Sequence, residues 1–325
     1  MKHKWGATLI ILTIFILAQV MGLVIINNYD CYFGQKAEAK NITYEETSIV
    51  KELTPERIEL KKTSDVIAIV IFIIIALLIS TGLFFLLTKI KTVALIKIWF
   101  TVVVLICLTI ALALLLYPLI GKYIINLKII KLSLADIIAV IAALVLTIYK
   151  IFKKNNFIHN FTEIFIYGGL TVIFIPILNF WAAGLLLIGI SIYDMIAVWK
   201  SKHMIKMAKF QMEKVKIFSG VYFPYGKKHI LAKQTKIDKK VPVANSGDTE
   251  IAILGGGDIA FPLIFAGTIL IKFGWLPAII VSASALLSLF FLMLISKKDK
   301  FYPAMPFITA GCLLGFLISL LSGLL

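Results

Sequence analysis

Apolar residues in this chain run in blocks long enough to cross a bilayer, separated by short charged stretches. A spanning helix needs about 20 predominantly apolar residues. Blocks of about that length fall at 5–27, 66–88, 98–120, 133–152, 161–178, 180–199, 251–271, 275–296 and 303–323. The expected fold is therefore all-α, a polytopic membrane protein with nine transmembrane helices. The fifth block is the weakest, opening with Thr162 and Glu163 and broken late by Pro176. The first follows Met1-Lys2-His3-Lys4 and outruns the ~7–15-residue core of a cleavable signal, so it reads as a retained span.

Composition agrees with the pattern. Of 325 residues, 61% are hydrophobic, and the mean hydropathy of +1.00 lies far above that of a soluble domain. Cys31, Cys107 and Cys312 are scattered and odd in number, which indicates neither a disulfide framework nor a thiolate metal site. The formal charge of +16 does not point to nucleic acid, because no basic platform interleaved with aromatics is present. The cations instead set an expected orientation. With the N-terminus cytoplasmic and the C-terminus outside, 23 of the 33 lysines and arginines fall on the inner side, 12 of them in the 200–250 loop. The outer 28–65 loop holds 6 cations against 8 acids.

That organisation divides the chain into an N-terminal membrane scaffold, 1–160, and a second membrane half, 161–325, carrying the basic loop. Within 200–216, Ile205, Ala208, Met212 and Val215 share a face, with Lys202, Lys206, Lys209, Lys214 and Lys216 elsewhere. This fits a helix lying on an anionic lipid leaflet or a solvated linker. The rest of the loop, through Tyr222-Phe223-Pro224-Tyr225-Gly226 and Asn245-Ser246-Gly247-Asp248, has turn chemistry and basic, low-periodicity stretches and reads as a mobile loop. Asn41-Ile42-Thr43 forms a glycosylation-type triplet in the outer loop.

Two acids stand out in apolar surroundings. Asp258 follows Gly255-Gly256-Gly257, and Asp194 ends Gly189-Ile190-Ser191-Ile192-Tyr193-Asp194. An ionised Asp in hydrocarbon costs at least ~2.5–3.5 kcal/mol, so such residues face a bundle interior and are functional suspects. Counted at 1.5 Å per residue from the sixth span's end and the seventh's start, both lie ~8–10 Å inside the same boundary. Consecutive helices are usually neighbours, and Gly255 and Gly257 are expected to let the seventh helix press on the sixth. Two carboxylates sharing a site resist ionising together, so the pair holds one proton and supplies an acid and a base. Pro262 cannot donate to the carbonyl of Asp258, interrupting the helix ladder at the acid. Pro303-Ala304-Met305-Pro306 reads either as the start signal of the ninth helix or as a stretch held extended before it, leaving backbone groups for an extended peptide to pair by strand addition.

Tyr193-Asp194, Gly255-Gly256-Gly257-Asp258 and Pro303-Ala304-Met305-Pro306, in this order on the sixth, seventh and ninth spans, resemble the presenilin and signal peptide peptidase family of intramembrane aspartyl proteases. The size is similar to archaeal homologues. The resemblance implies that Asp194 and Asp258 are catalytic and that Pro303, Ala304, Met305 and Pro306, with Gly255 and Gly257, shape the site and bind substrate. Tyr193 and Pro262 would support it. Met305 stands where the family's motif has leucine, and Gly256 where a larger residue is common. Expected partners are transmembrane-helix substrates; monomer and homo-oligomer are both open.

Two carboxylates and a water need no metal or organic cofactor for hydrolysis. No H-E-x-x-H motif occurs, and His3, His159, His203 and His229 read as helix borders or loops rather than a buried base. A prepilin-peptidase-like protease shares Gly-x-Gly-Asp without the Pro-Ala-x-Pro segment. The alternative of another class is a proton-coupled transporter or cation leak pathway using the same aspartates, although no internal repeat is visible.

Overall fold

The computed structural model describes residues 5–33, 48–58, 62–90, 93–121, 123–126, 131–152, 155–200, 219–225, 250–296 and 302–324. Its helices are α1 (Trp5–Tyr32), α2 (Ile49–Leu53), α3 (Thr63–Ile90), α4 (Val93–Ile120), α5 (Leu134–Phe152), α6 (Asn156–Phe174), α7 (Phe180–Met195), α8 (Gly256–Phe273), α9 (Trp275–Ile295) and α10 (Met305–Leu321). Among the described residues, eight of these are long and apolar enough to cross a membrane, and α10 is a shorter apolar helix. These nine correspond to the nine expected blocks. The protein is an integral, multi-pass membrane protein.

Helix starts follow local chemistry. Asn155 caps α6, its side chain accepting the Phe157 amide, and Asn179 caps α7 through the Ala182 amide. The first of these caps starts the fifth span at 156 rather than 161. Thr162 and Glu163 therefore lie inside a helix and are buried rather than opening it. α7 continues into a π-helical turn over Ile196–Lys200, a distortion common near functional sites.

The seventh span differs most from expectation. Residues Glu250–Gly255 form strand β4, and the helix starts at Gly256. Ile251 and Ile253 favour a strand, and the run of glycines at the junction weakens helix propensity there. β4 pairs antiparallel with β3 (Gly220–Tyr225), in register from Gly220↔Gly255 to Tyr225↔Glu250. Part of the loop expected to be mobile is thus a strand. A second hairpin, β1 (Ile124–Asn126) with β2 (Lys131–Ser133), joins α4 to α5. The amphipathic stretch 201–216, the triplet Asn41–Thr43, and His3, His203 and His229 lie outside the described residues.

α1 runs through the centre, packed on α4, α6, α8 and α9, and α8 also meets α6, α7 and α10. The core is correspondingly centred on Phe15, Ile25 and Ile26 of α1 and Ile259, Leu263 and Phe265 of α8. In membranes such packing depends on small residues that let backbones approach. A Cβ on Gly169 of α6 would land on the Cys107 carbonyl of α4, and one on Gly315 of α10 would lie 2.9 Å from the Val281 Cα of α9. Gly169→Ala is expected to cost about 1–3 kcal/mol through forced helix separation, read as a lower melting temperature in detergent. Gly82→Ala, whose Cβ meets nothing within 4 Å, should leave melting unchanged or slightly raised.

Candidate active site

α7 and α8 are in contact, and their acids face the same end of the bundle. Asp194, in the last turn of α7, is 5% exposed, and Asp258, in the first turn of α8, is 9% exposed. The two are near enough for the charge of Asp194 to act on Asp258. Their common height has a different origin from the helical count. β4 delivers the chain to Gly255, and Asp258 follows within one turn.

Each carboxylate meets a helix start. Asp194 Oδ2 accepts the Met305 amide at 3.2 Å, with the Ala304 amide also on that carboxylate. Met305 is the first residue of α10, so the acid caps the helix's unpaired N–H groups and positive end. Asp258 turns back to the amide of Gly255, the residue before α8, which is the reciprocal arm of a capping box. A Cβ on Gly255 would sit 3.1 Å from Asp258 Oδ2, so that contact is tight even without a side chain there.

The remaining expected residues are placed as follows. Pro303 and Met305 are buried, Ala304 is half-buried in a bend, and Pro306 occupies the first turn of α10. The extended stretch therefore stops at Pro303, because Pro is tolerated in a helix's first turn, where its missing N–H has no intrahelical partner. Pro262 is buried in α8, which continues past it to Phe273. Tyr193 is half-buried beside Asp194. Gly255 and Gly257 do not provide the close approach to α7. A Cβ on Gly257 would meet only Phe261 of its own helix, whereas one on Gly256 would meet Tyr167 Oη of α6 and Ser219 Oγ at 3.3 Å each.

Asp194 and Asp258 are not the only buried acids: Asp30, Asp136 and Glu163 are buried as well. These lie toward block ends in sequence, but neighbouring elements cover them. Asp136 accepts the Tyr117 hydroxyl at 3.2 Å. Glu163 receives Lys150 Nζ at 2.6 Å, and Lys150 also donates to Thr162 Oγ1 at 3.2 Å. The missed signal was one cation and one acid, each inside an apolar block and on either side of one short connection.

His159, expected at a border, is buried on α6, and its Nε2 donates to the Gly220 carbonyl at 2.8 Å. Asn160 donates through Nδ2 to the Tyr222 carbonyl at 3.0 Å, while its Oδ1 accepts the Tyr222 amide at 3.4 Å. The Tyr222 hydroxyl donates to Asn156 Oδ1 at 3.0 Å. Burial, and then the Glu163 charge, hold the Tyr222 phenol above its ordinary range, so it remains a donor. On α1, Gln19 donates to the Ile259 carbonyl at 3.1 Å and accepts from Ser282 at 3.3 Å, tying three helices beside Asp258. Among the described residues, no three His, Cys, Asp or Glu side chains converge as metal ligands.

A bundle of apolar helices with paired acids at one end is the architecture of an intramembrane aspartyl protease. A model of the family "Signal-peptide peptidase, presenilin aspartyl protease" matches residues 51–324, and the chain belongs to that family. Two solved structures of a presenilin family intramembrane aspartate protease share its fold. The one in space group C222 aligns at TM-score 0.58 and 16% identity, covering 97% of this chain and 98% of the other. The one in space group P2 aligns at TM-score 0.59 and 17% identity, covering 98% and 97%. A sequence search of curated proteins finds no significant match.

The buried ion pair yields a stability prediction. Lys150→Met, which leaves Glu163 uncompensated, should cost about 3–5 kcal/mol, whereas Lys150→Met with Glu163→Gln should recover most of it. Melting of the purified variants in detergent checks the cycle.

Proposed function

We propose that the protein is an intramembrane endopeptidase in which Asp194 and Asp258 hydrolyse peptide bonds within membrane-spanning segments of other proteins. The observation that carries this is the buried juxtaposition of two acids from adjacent helices, each anchored by a backbone amide. Anchoring fixes the carboxylates for proton transfer. An ionised carboxylate takes a proton from water as its oxygen bonds to the carbonyl carbon, while the protonated partner gives its proton to the carbonyl oxygen. Collapse of the tetrahedral species returns a proton to the leaving nitrogen. The shared proton belongs to the pair as a unit.

A spanning helix has no exposed scissile bond, so the substrate must unwind first. β4 supports a route, since its chain runs directly into Asp258 and an extended peptide paired with it would lie along the approach to the acids. Pro303, Ala304 and Met305 border the same place through the Asp194 contact. With a cytoplasmic N-terminus, the substrates would have theirs outside.

Two outcomes test the reading. Purified protein should cleave a single-span peptide, and Asp194→Ala or Asp258→Ala should each reduce cleavage by at least about 10³-fold and abolish binding of an aspartyl-protease transition-state mimic. Unchanged fragments with ion flux that depends on the aspartates would favour transport instead. Cleavage should also be bell-shaped in pH, falling at low pH when both acids are protonated and at high pH when neither is.

A further inference from the structure

The hydrogen bonds to β3 determine which edge of the hairpin is open. In an antiparallel ladder, opposed residues either exchange both backbone bonds or neither. Both the N–H and the C=O of Tyr222 are taken by Asn160, so Tyr222↔Ile253 is a non-bonded pair. The Gly220 carbonyl, two residues away and on the same side, is taken by His159. Pro224, next in that series, has no N–H to offer. α6 therefore closes the outer edge of β3. By the same parity, the backbone groups of Ile251, Ile253 and Gly255 point out of the far side of β4, and the Gly255 amide meets Asp258. Among the described residues, no backbone group pairs with Ile251 or Ile253 there.

We propose that His159 and Asn160 are positioning residues that determine cleavage register. By clamping the outer edge of β3 they fix the hairpin against α6 and leave β4 as the edge to which an unwound substrate adds, thereby setting which of its bonds reaches Asp258. The clamp is built into the bundle, since His159 lies 3.7 Å from Glu163, itself held by Lys150. A slip of one residue along β4 would turn every substrate side chain to the opposite face. This inference rests on the aspartyl-protease reading above.

The test compares the masses of fragments cut from one single-span peptide by the full chain and its variants. His159→Leu, which loses one hydrogen bond, should shift product toward bonds neighbouring the principal one roughly fivefold, and Asn160→Ala, which loses two, by at least about as much. His159→Gln, which keeps a donor for Gly220, should retain the wild-type pattern. Ile253→Pro removes an outward N–H without touching the β3–β4 bonds and should slow cleavage roughly tenfold with melting unchanged. Unaltered product ratios in Asn160→Ala and His159→Leu, at whatever rate, overturn the proposal, as does an Ile253→Pro variant that cuts normally. If Asn160→Ala does not fold, the His159→Leu and His159→Gln pair decides alone.

Hydrogen exchange separates the two readings. Faster exchange across 219–225 in His159→Leu or Asn160→Ala reports the clamp without catalysis, and no change there sinks it. Cleavage that survives Asp258→Ala sinks the protease reading instead.

Discussion

A carboxylate inside an apolar bundle needs donors, and here the donors are the free amides at helix starts. Placing an ionised Asp in hydrocarbon costs at least ~2.5–3.5 kcal/mol, while a hydrogen bond to a charged group contributes ~1.5–3 kcal/mol. One or two amides per acid therefore contribute an amount comparable to that minimum cost. Asp194 uses the start of α10, and Asp258 uses the residue preceding its own helix. This requirement fixes where α8 and α10 begin. Had α8 started at 251, the Gly255 amide would be spent within the helix and unavailable to Asp258.

Starting α8 at Gly256 leaves Glu250–Gly255 without helical hydrogen bonds, and buried backbone must find others. β3 supplies them on one side, and α6 in turn satisfies the far edge of β3 through His159 and Asn160. Those side chains belong to a helix whose next turn holds Glu163 against Lys150. The need to anchor one acid thus propagates through a strand, its partner, and a buried ion pair on a third element. Gln19 braces the opposite side of α8 at Ile259.

Much of this was legible in the residues. Block length alone located the spans, since α9 at Trp275–Ile295 and α5 at Leu134–Phe152 fall almost where uninterrupted hydrophobicity places them. The two aspartates drew notice as lone acids in apolar runs, and the Pro303–Pro306 segment as two prolines where a helix would begin. The hairpin was not legible, because Ile251–Leu254 is as apolar as a helix segment and only its distant partner at 220–225 decides the matter. His159 and Asn160 escaped notice for a similar reason. Their purpose is set by a strand about 60 residues away, and no local period marks it.

Gly256 illustrates how packing can account for a residue that motif comparison makes unusual. Its Cα faces the Tyr167 ring, with room for a Cβ only 3.2 Å from Cε1. Tyr167 is itself enclosed on α6, one turn beyond Glu163. A larger residue at 256 would have to displace that ring or move the start of α8, and with it the Gly255 amide that Asp258 uses. The small residue therefore suits the neighbour across the helix interface, which would have to give by a few tenths of an ångström for a Cβ. An exchange at 256 is coupled to Tyr167, since the two side chains compete for one volume beside the acid.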